Sequence, residues 1–243
     1  MLNNIGFIIT ARMSSSRLYG KVLKKIHDKT CLEHLCNRLK QSQYYKKIVI
    51  ATSINIEDVA VQNEAERVGV FSYRGSLEDV LDRITKAADE YNVDPVVLIG
   101  GDRAIQDVNI LDYVIDRYED EYPLYECAVN INFNKKTNSY EYTFPKGQVV
   151  YVISRKFLAK VNAQKWDITS REELHKILFA KKKVCNLLNV EAPPGWNRPD
   201  IKTAIDTLED FEFNKILFDN LYQLNPFFTI DDVIAFVDKN RIC

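Results

Sequence analysis

The sequence predicts a doubly wound α/β fold with a mostly parallel sheet, and three observations carry that reading. Short apolar runs, each too brief for a helix, recur at Ile5–Thr10, Lys47–Thr52 and Pro95–Ile99. Such continuous runs suit parallel strands covered on both faces. Longer amphipathic segments with helix-start residues separate them. Internal repeats and low-complexity tracts are absent, and this strand–helix alternation argues for a Rossmann-like sheet over an all-helical protein.

Each element follows from a local signal. Thr30 and Glu33 form a capping box ahead of Leu32, Leu35 and Leu39, which share one helix face. Asn55–Val68 is a second helical segment, and Ser76 with Asp79 caps a third through Val80, Ile84 and Ala88. The middle of the chain changes character: Cys127–Phe133 and Tyr140–Ile153 are β-branched and aromatic, with Pro145-Lys146-Gly147 as a turn. They read as mixed or antiparallel strands of an insertion over about 127–190, a flap for acceptor binding or dimerisation within a single domain spanning 1–243. Ser170 and Glu173 are expected to cap a helix through Phe179, and Ala192–Asp200 is a Pro/Gly loop, the most mobile segment expected. Thr203–Asp206 reads as a short strand, and Thr207 with Asp210 boxes the start of a helix to about Leu224.

Composition narrows the function. Lys+Arg number 33 against 34 Asp+Glu, a formal charge of -1, which offers no broad attraction for nucleic acid. The five cysteines include no CxxC pair, and no signal-peptide pattern precedes the first strand, so a reduced cytoplasmic setting is expected. No apolar run reaches membrane-span length. Three scattered histidines (His27, His34, His175) argue against zinc and suit surface or structural places. Cys31 and Cys36 are expected to be buried, the aromatics from Phe211 to Phe228 to pack the last helices, and Lys181–Lys183 to be a solvated turn.

The segment Thr10–Leu23, TARMSSSRLYGKVL, is the most informative. It follows the first strand, where open α/β sheets bind ligands. Ser14, Ser15 and Ser16 are small enough to bring backbone N–H groups to an anion, and Arg12, Arg17 and Lys21 can neutralise phosphate oxygens. A solvated basic loop is the plain alternative. The segment is neither a Walker loop nor a GxGxxG fingerprint.

This loop resembles the ARxxSxRLxGKxL signature of CMP-sugar-type cytidylyltransferases, including the SpsF-like spore-coat branch. Ala11, Arg12, Ser15, Arg17, Leu18, Gly20, Lys21 and Leu23 fit it. The resemblance continues in order: Arg74-Gly75-Ser76 with the stretch to Arg83 is similar to RGSxxDVLDR, Gly101-Asp102 to the GD motif, and Asp206–Glu212 to DTPEDLE. It implies a GT-A-type nucleotidyltransferase that transfers CMP from CTP to an acidic sugar for a surface glycan, releasing pyrophosphate. It also implies that Arg12, Arg17, Lys21 and Asp102 act in catalysis. Ala11, Arg12, Ser14, Ser15, Ser16, Lys21, Thr52, Arg74, Gly75, Ser76 and Asp102 would contact the nucleotide. Asp102 and Asp206 would hold Mg²⁺, which needs few protein ligands, and a homodimer is expected. Ser76 as an N-cap, Asp206 as a helix-entry residue and Arg83 as a partner of Asp79 are local alternatives.

The chain also departs from that pattern. Tyr19 replaces a Pro, Arg103 follows Gly101-Asp102, Val149 and Tyr151 stand where acids are common, and Arg171-Glu172-Glu173 replaces an REH stretch. Arg103 would either compete with Mg²⁺ or contact an acidic substrate. Two rival readings share these residues: a GT-A-type glycosyltransferase, for which the second acid of a DxD pair is missing, and a nucleotide-binding protein of impaired catalysis.

Overall fold

The computed structural model describes residues 2–134, 136–137, 139–180 and 184–241; the Lys181–Lys183 run lies outside them. The first half of the chain begins with β1 (Gly6–Thr10), then a small hairpin of β2 (Lys25–Ile26) and β3 (Lys29–Thr30) and helix α1 (Cys31–Leu39). It continues through β4 (Ile48–Ser53), α2 (Val59–Arg67), β5 (Phe71–Gly75), α3 (Val80–Glu90), β6 (Val96–Gly100) and α4 (Val108–Asp120). The middle supplies β7 (Cys127–Val129), a hairpin of β8 (Ile131–Asn134) and β9 (Ser139–Tyr142), then β10 (Tyr151–Ile153), α5 (Arg155–Asn162), α6 (Ile168–Glu172), α7 (Leu174–Leu178) and β11 (Leu187–Asn189). Helices α8 (Leu208–Leu221) and α9 (Ile230–Asn240) end the fold.

Seven strands form one sheet in the order β11-β7-β10-β6-β1-β4-β5. Strands β1, β4, β5 and β6 are mutually parallel, β11 is parallel to β7, and β10 alone runs against its neighbours β6 and β7. Strands β7, β10 and β11 of the middle segment therefore extend the same sheet. Alternation along β1 places Phe7 and Ile9 in one core layer and Ile8 in the other, as the two-residue period of a strand requires. The first layer packs α1 and α4 through Leu32, Leu35 and Val114, and the second packs α3 and α5 through Ile84 and Phe157. A third cluster joins α8 and α9 to Ala104, Ile105 and Ile205.

The chain winds outward from β1 to β4 and β5, then returns to place β6 on β1's other side. That reversal is a topological switch point, so a crevice opens beyond the ends of β1 and β6. Gly101 permits the two following loops to approach: a Cβ there would lie 2.9 Å from Ala11 Cβ and 3.0 Å from Thr10 O.

Several local expectations are corrected by tertiary competition. Thr203–Asp206 forms no strand. The amides of Thr203 and Ala204 both turn to Lys146 O (2.7 and 3.3 Å), whereas Ile205 N–H donates to Asp102 O at 2.9 Å. With its donors divided between two segments, this stretch forms no ladder, and the one bridge beside it, Lys146 to Lys202, lies just before it. Ser170 does not start the helix: Asp167 caps α6, accepting from Ser170 N at 2.9 Å, and Glu173 joins α6 to α7. Thr30 accepts from Glu33 N at 3.0 Å, but the Glu33 carboxylate pairs with Arg67 instead of closing the box. The Ala192–Asp200 loop is anchored through Trp196 to Asp231 and Arg198 to Asp238. Cys31 and Cys36 are buried, as expected, while Phe227 is exposed beside the buried Phe211, Phe218 and Phe228.

Gly147 allows the Pro145-Lys146-Gly147 turn to press against the 203–206 segment. Its φ is 106°, and an added Cβ would lie 2.3 Å from Ala204 N. Gly147→Ala should destabilise the protein by roughly 2–5 kcal/mol, combining backbone strain with overpacking, as read by chemical denaturation. His34 gives a pH-dependent counterpart. It is buried beneath Phe218, its Nε2 lies 3.0 Å from Ile26 O, and burial pushes its pKa down to about 4. A depressed pKa means that neutral His34 stabilises the fold above its unfolded value of about 6.5. Stability should fall by about 3 kcal/mol as pH drops from there towards 4, and His34→Gln should flatten that part of the denaturation profile.

Candidate active site

The loop after β1 is built from its own backbone. Ser15 N–H and Gly20 N–H both donate to Met13 O at 2.9 Å, and Met13 N–H donates to the Asp58 carboxylate at 2.6 Å. Asp58 is fully buried and also takes the Ser53 hydroxyl, so it ties this loop to the end of β4. The tether had no signal in the sequence, because Asp58 reads as an ordinary first-turn acid.

The loop forms one wall of a cleft of about 330 Å³. Ala11, Arg12, Ser14, Ser15, Ser16, Arg17 and Lys21 line it, facing Gly101-Asp102 from the loop after β6 and Glu172 from α6. The Ser14 hydroxyl is enclosed and, among the described residues, has no hydrogen-bond partner. Arg83 also lines the cleft from α3. Its Nη1 donates to Ser76 O at 2.6 Å, its Nε has no partner among the described residues, and burial with Arg12 nearby pushes its pKa down to about 10.

Asp206 reaches the same point from the far side of the chain. The Ile205–Asp102 backbone bond brings the two acids together, and Lys21 Nζ sits 2.6 Å from Asp102 Oδ2 and 3.3 Å from Asp206 Oδ1. Arg17 adds a contact to Asp206 at 2.8 Å, and Lys202 another at 3.2 Å. Burial opposes the Asp206 charge, but Lys21 and Lys202 outweigh it and hold its carboxyl below the usual range. Thr207 and Asp210 close a capping box at the start of α8, fixing the backbone beside Asp206. Among the described residues no cluster of three or more His, Cys, Asp or Glu side chains has metal-site geometry.

Four expected nucleotide contacts stand apart from this cleft. Thr52 lies inside β4, fully buried, its hydroxyl without a partner among the described residues. Arg74 folds back onto Ser53 O (3.0 Å) and Asn55 O (2.8 Å). Gly75 packs against Arg83, and Ser76 caps the turn into α3 by accepting from Asp79 N at 3.0 Å. Arg83 turns to Ser76 O and does not pair with Asp79; Arg171 takes Asp79 at 2.8 Å.

A second chamber of about 180 Å³ adjoins the first, sharing Gly100, Val80, Glu172 and Glu173. Arg103, Tyr151, Arg171 and His175 line it. The sequence carried no signal for His175, which reaches the chamber through the packing of α6 and α7.

Comparisons with known proteins show the family and the fold. A family model described as cytidylyltransferase matches residues 6–184. The spore coat polysaccharide biosynthesis protein SpsF of Bacillus subtilis is 28% identical over 245 residues, covering 98% of this chain and 96% of that one. A 3-deoxy-manno-octulosonate cytidylyltransferase of Solibacter usitatus is 33% identical over 110 residues, 44% of this chain and 42% of its own. A cytidylyltransferase structure from Leptospira borgpetersenii superposes with a TM-score of 0.88 at 27% identity, covering 98% of this chain and 95% of that one. With the cation-lined crevice at the switch point and a match over most of its length, the chain belongs to the cytidylyltransferase family of nucleotidyltransferases.

Proposed function

We propose that the protein transfers a cytidylyl group from CTP to an acidic sugar or related acid, releasing pyrophosphate, for surface polysaccharide synthesis. The observation that carries this reading is the convergence of Asp102 and Asp206 on the single ammonium of Lys21; Lys21 and Asp102 line the cleft with Arg12 and Arg17, and Asp206 joins them through its contacts to Lys21 and Arg17. Two carboxylates aimed at one cation form a donor set suited to a hard divalent ion that keeps most of its waters. Asp102 and Asp206 would hold Mg²⁺, which would supply charge neutralisation at the phosphates. The names of the SpsF and 3-deoxy-manno-octulosonate relatives support the polysaccharide setting and the acidic acceptor.

In this mechanism the chain's own groups bind and orient the phosphates. Arg12 and Arg17 offer planar forks to phosphate oxygens and Lys21 a point charge. The enclosed Ser14 hydroxyl and the amides of the β1 loop add neutral donors. As the acceptor oxygen attacks the α-phosphorus, negative charge builds towards the leaving pyrophosphate, and these fixed cations stabilise it. The residues of 127–190 on the second chamber, Tyr151 and Arg171–His175, face the acceptor side.

The cations are already paired before ligand enters. Arg12 Nη2 contacts Glu172 Oε1 at 2.9 Å, with both side chains over a third exposed. A phosphate at Arg12 must displace that carboxylate. Glu172→Gln should therefore tighten binding of CTP or inorganic tripolyphosphate by about two- to five-fold, the worth of an exposed ion pair, measured by calorimetry. Incubation with each NTP, Mg²⁺ and a panel of sugar acids should release pyrophosphate with CTP; CTP binding without turnover across the panel, or glycosyl transfer without pyrophosphate, would reject the proposal. Asp206→Asn should lower kcat/KM by roughly 10²-fold or more while leaving the unfolding midpoint near that of the parent.

A further inference from the structure

The second chamber holds a charge whose acidic partner among the described residues stands at the far edge of ion-pair distance. Of the ionised side chains on its wall, Arg171 Nε contacts Asp79 at 2.8 Å and its Nη2 contacts Asn162 Oδ1 at 2.6 Å. Glu172 is taken by Arg12, and Glu173 by His175 (2.9 Å) and Lys176 (3.2 Å). Arg103 differs. Among the described residues its guanidinium makes one hydrogen bond, from Nη1 to the Val149 carbonyl, and its Nε is enclosed without an acceptor. The nearest carboxylate, Asp102, lies 3.9 Å away and gives its other oxygen to Lys21 at 2.6 Å.

The anchoring matters as much as the unspent charge. The Arg103 side chain is only 16% exposed, and the Val149 carbonyl fixes one corner of the guanidinium. Gly100 leaves space beneath it, since a Cβ there would come within 3.2 Å of Arg103 Nε. A pre-positioned guanidinium loses little further entropy when it binds a planar anion. The neighbouring wall is apolar, contributed by Ile84, Leu98 and Leu174. A molecule seated here would thus present an anionic group to Arg103 and carbon surface to the wall.

We infer that Arg103 is the specificity-determining residue for the acceptor, recognising its carboxylate in the chamber beside the phosphate cleft. This inference rests on the cytidylyl-transfer reading only for what the bound acid does next. The binding step can be tested without turnover, with 3-deoxy-manno-octulosonate and its methyl ester as probes for calorimetry and for pyrophosphate release. In the parent protein the acid should bind at least ~10-fold more tightly than the ester, reflecting a charge-assisted pair. Arg103→Gln should remove that preference and raise the acceptor KM by a similar factor, leaving CTP affinity within about two-fold; Arg103→Lys, a point charge, should restore part of it. Equal binding of acid and ester by the parent, or an unchanged preference in Arg103→Gln, overturns the inference. Should the glutamine variant fail to fold by its unfolding midpoint, the lysine variant decides: a full parental preference there overturns the fork-specific role, and a reduced one supports it. Acid binding through Arg103 without pyrophosphate release would support this inference and reject cytidylyl transfer, so the two fail separately.

Discussion

A single ammonium group organises the working end of this protein. Lys21 Nζ lies between carboxylates contributed by the loop after β6 and by the segment before α8, and these would repel each other without it. Opposite charge at close range is attractive, so Lys21 gives both carboxylates one shared counter-charge and favours their approach. The backbone bond from Ile205 N–H to Asp102 O holds the same junction mechanically. The Gly147 turn presses the 203–206 segment into place, and Gln148 binds Ile105 O and Thr203 Oγ1 behind it. Charge pairing and buried amide bonding thus converge on one short stretch.

The division between what the sequence revealed and what it concealed follows the range of the interactions. Strands β1, β4 and β6 were readable because their apolar runs are continuous and local. The cations of the β1 loop were readable because a loop at a strand's end has one place to go. Thr203–Ile205 misled because β-branched composition says nothing about which donors a distant turn will claim. The start of α6 misled for a related reason: two candidate caps compete, and Asp167 wins by accepting from Ser170 N, Ser170 Oγ and Thr169 Oγ1 together.

Direction was harder to read than position. Thr52 and Arg74 sit near strand ends facing the crevice, yet one is buried and the other spends its guanidinium on carbonyls of the neighbouring loop. Glu172 and His175 were invisible as wall residues because their helices are short and owe their placement to Arg171 reaching Asp79 across the chain. The chemistry of a side chain is local, but its aim is a tertiary property.

The near-zero net charge of the chain is repeated inside its cleft, where Arg12, Arg17 and Lys21 each already have an acidic partner. A phosphate entering such a site exchanges one anion for another, where an open basic patch would shed a cloud of mobile salt ions. The cleft acts as a small ion exchanger with its counter-ions tethered to the chain. Recognition in it is governed less by ionic strength than by which anion, internal or foreign, fits the cations better.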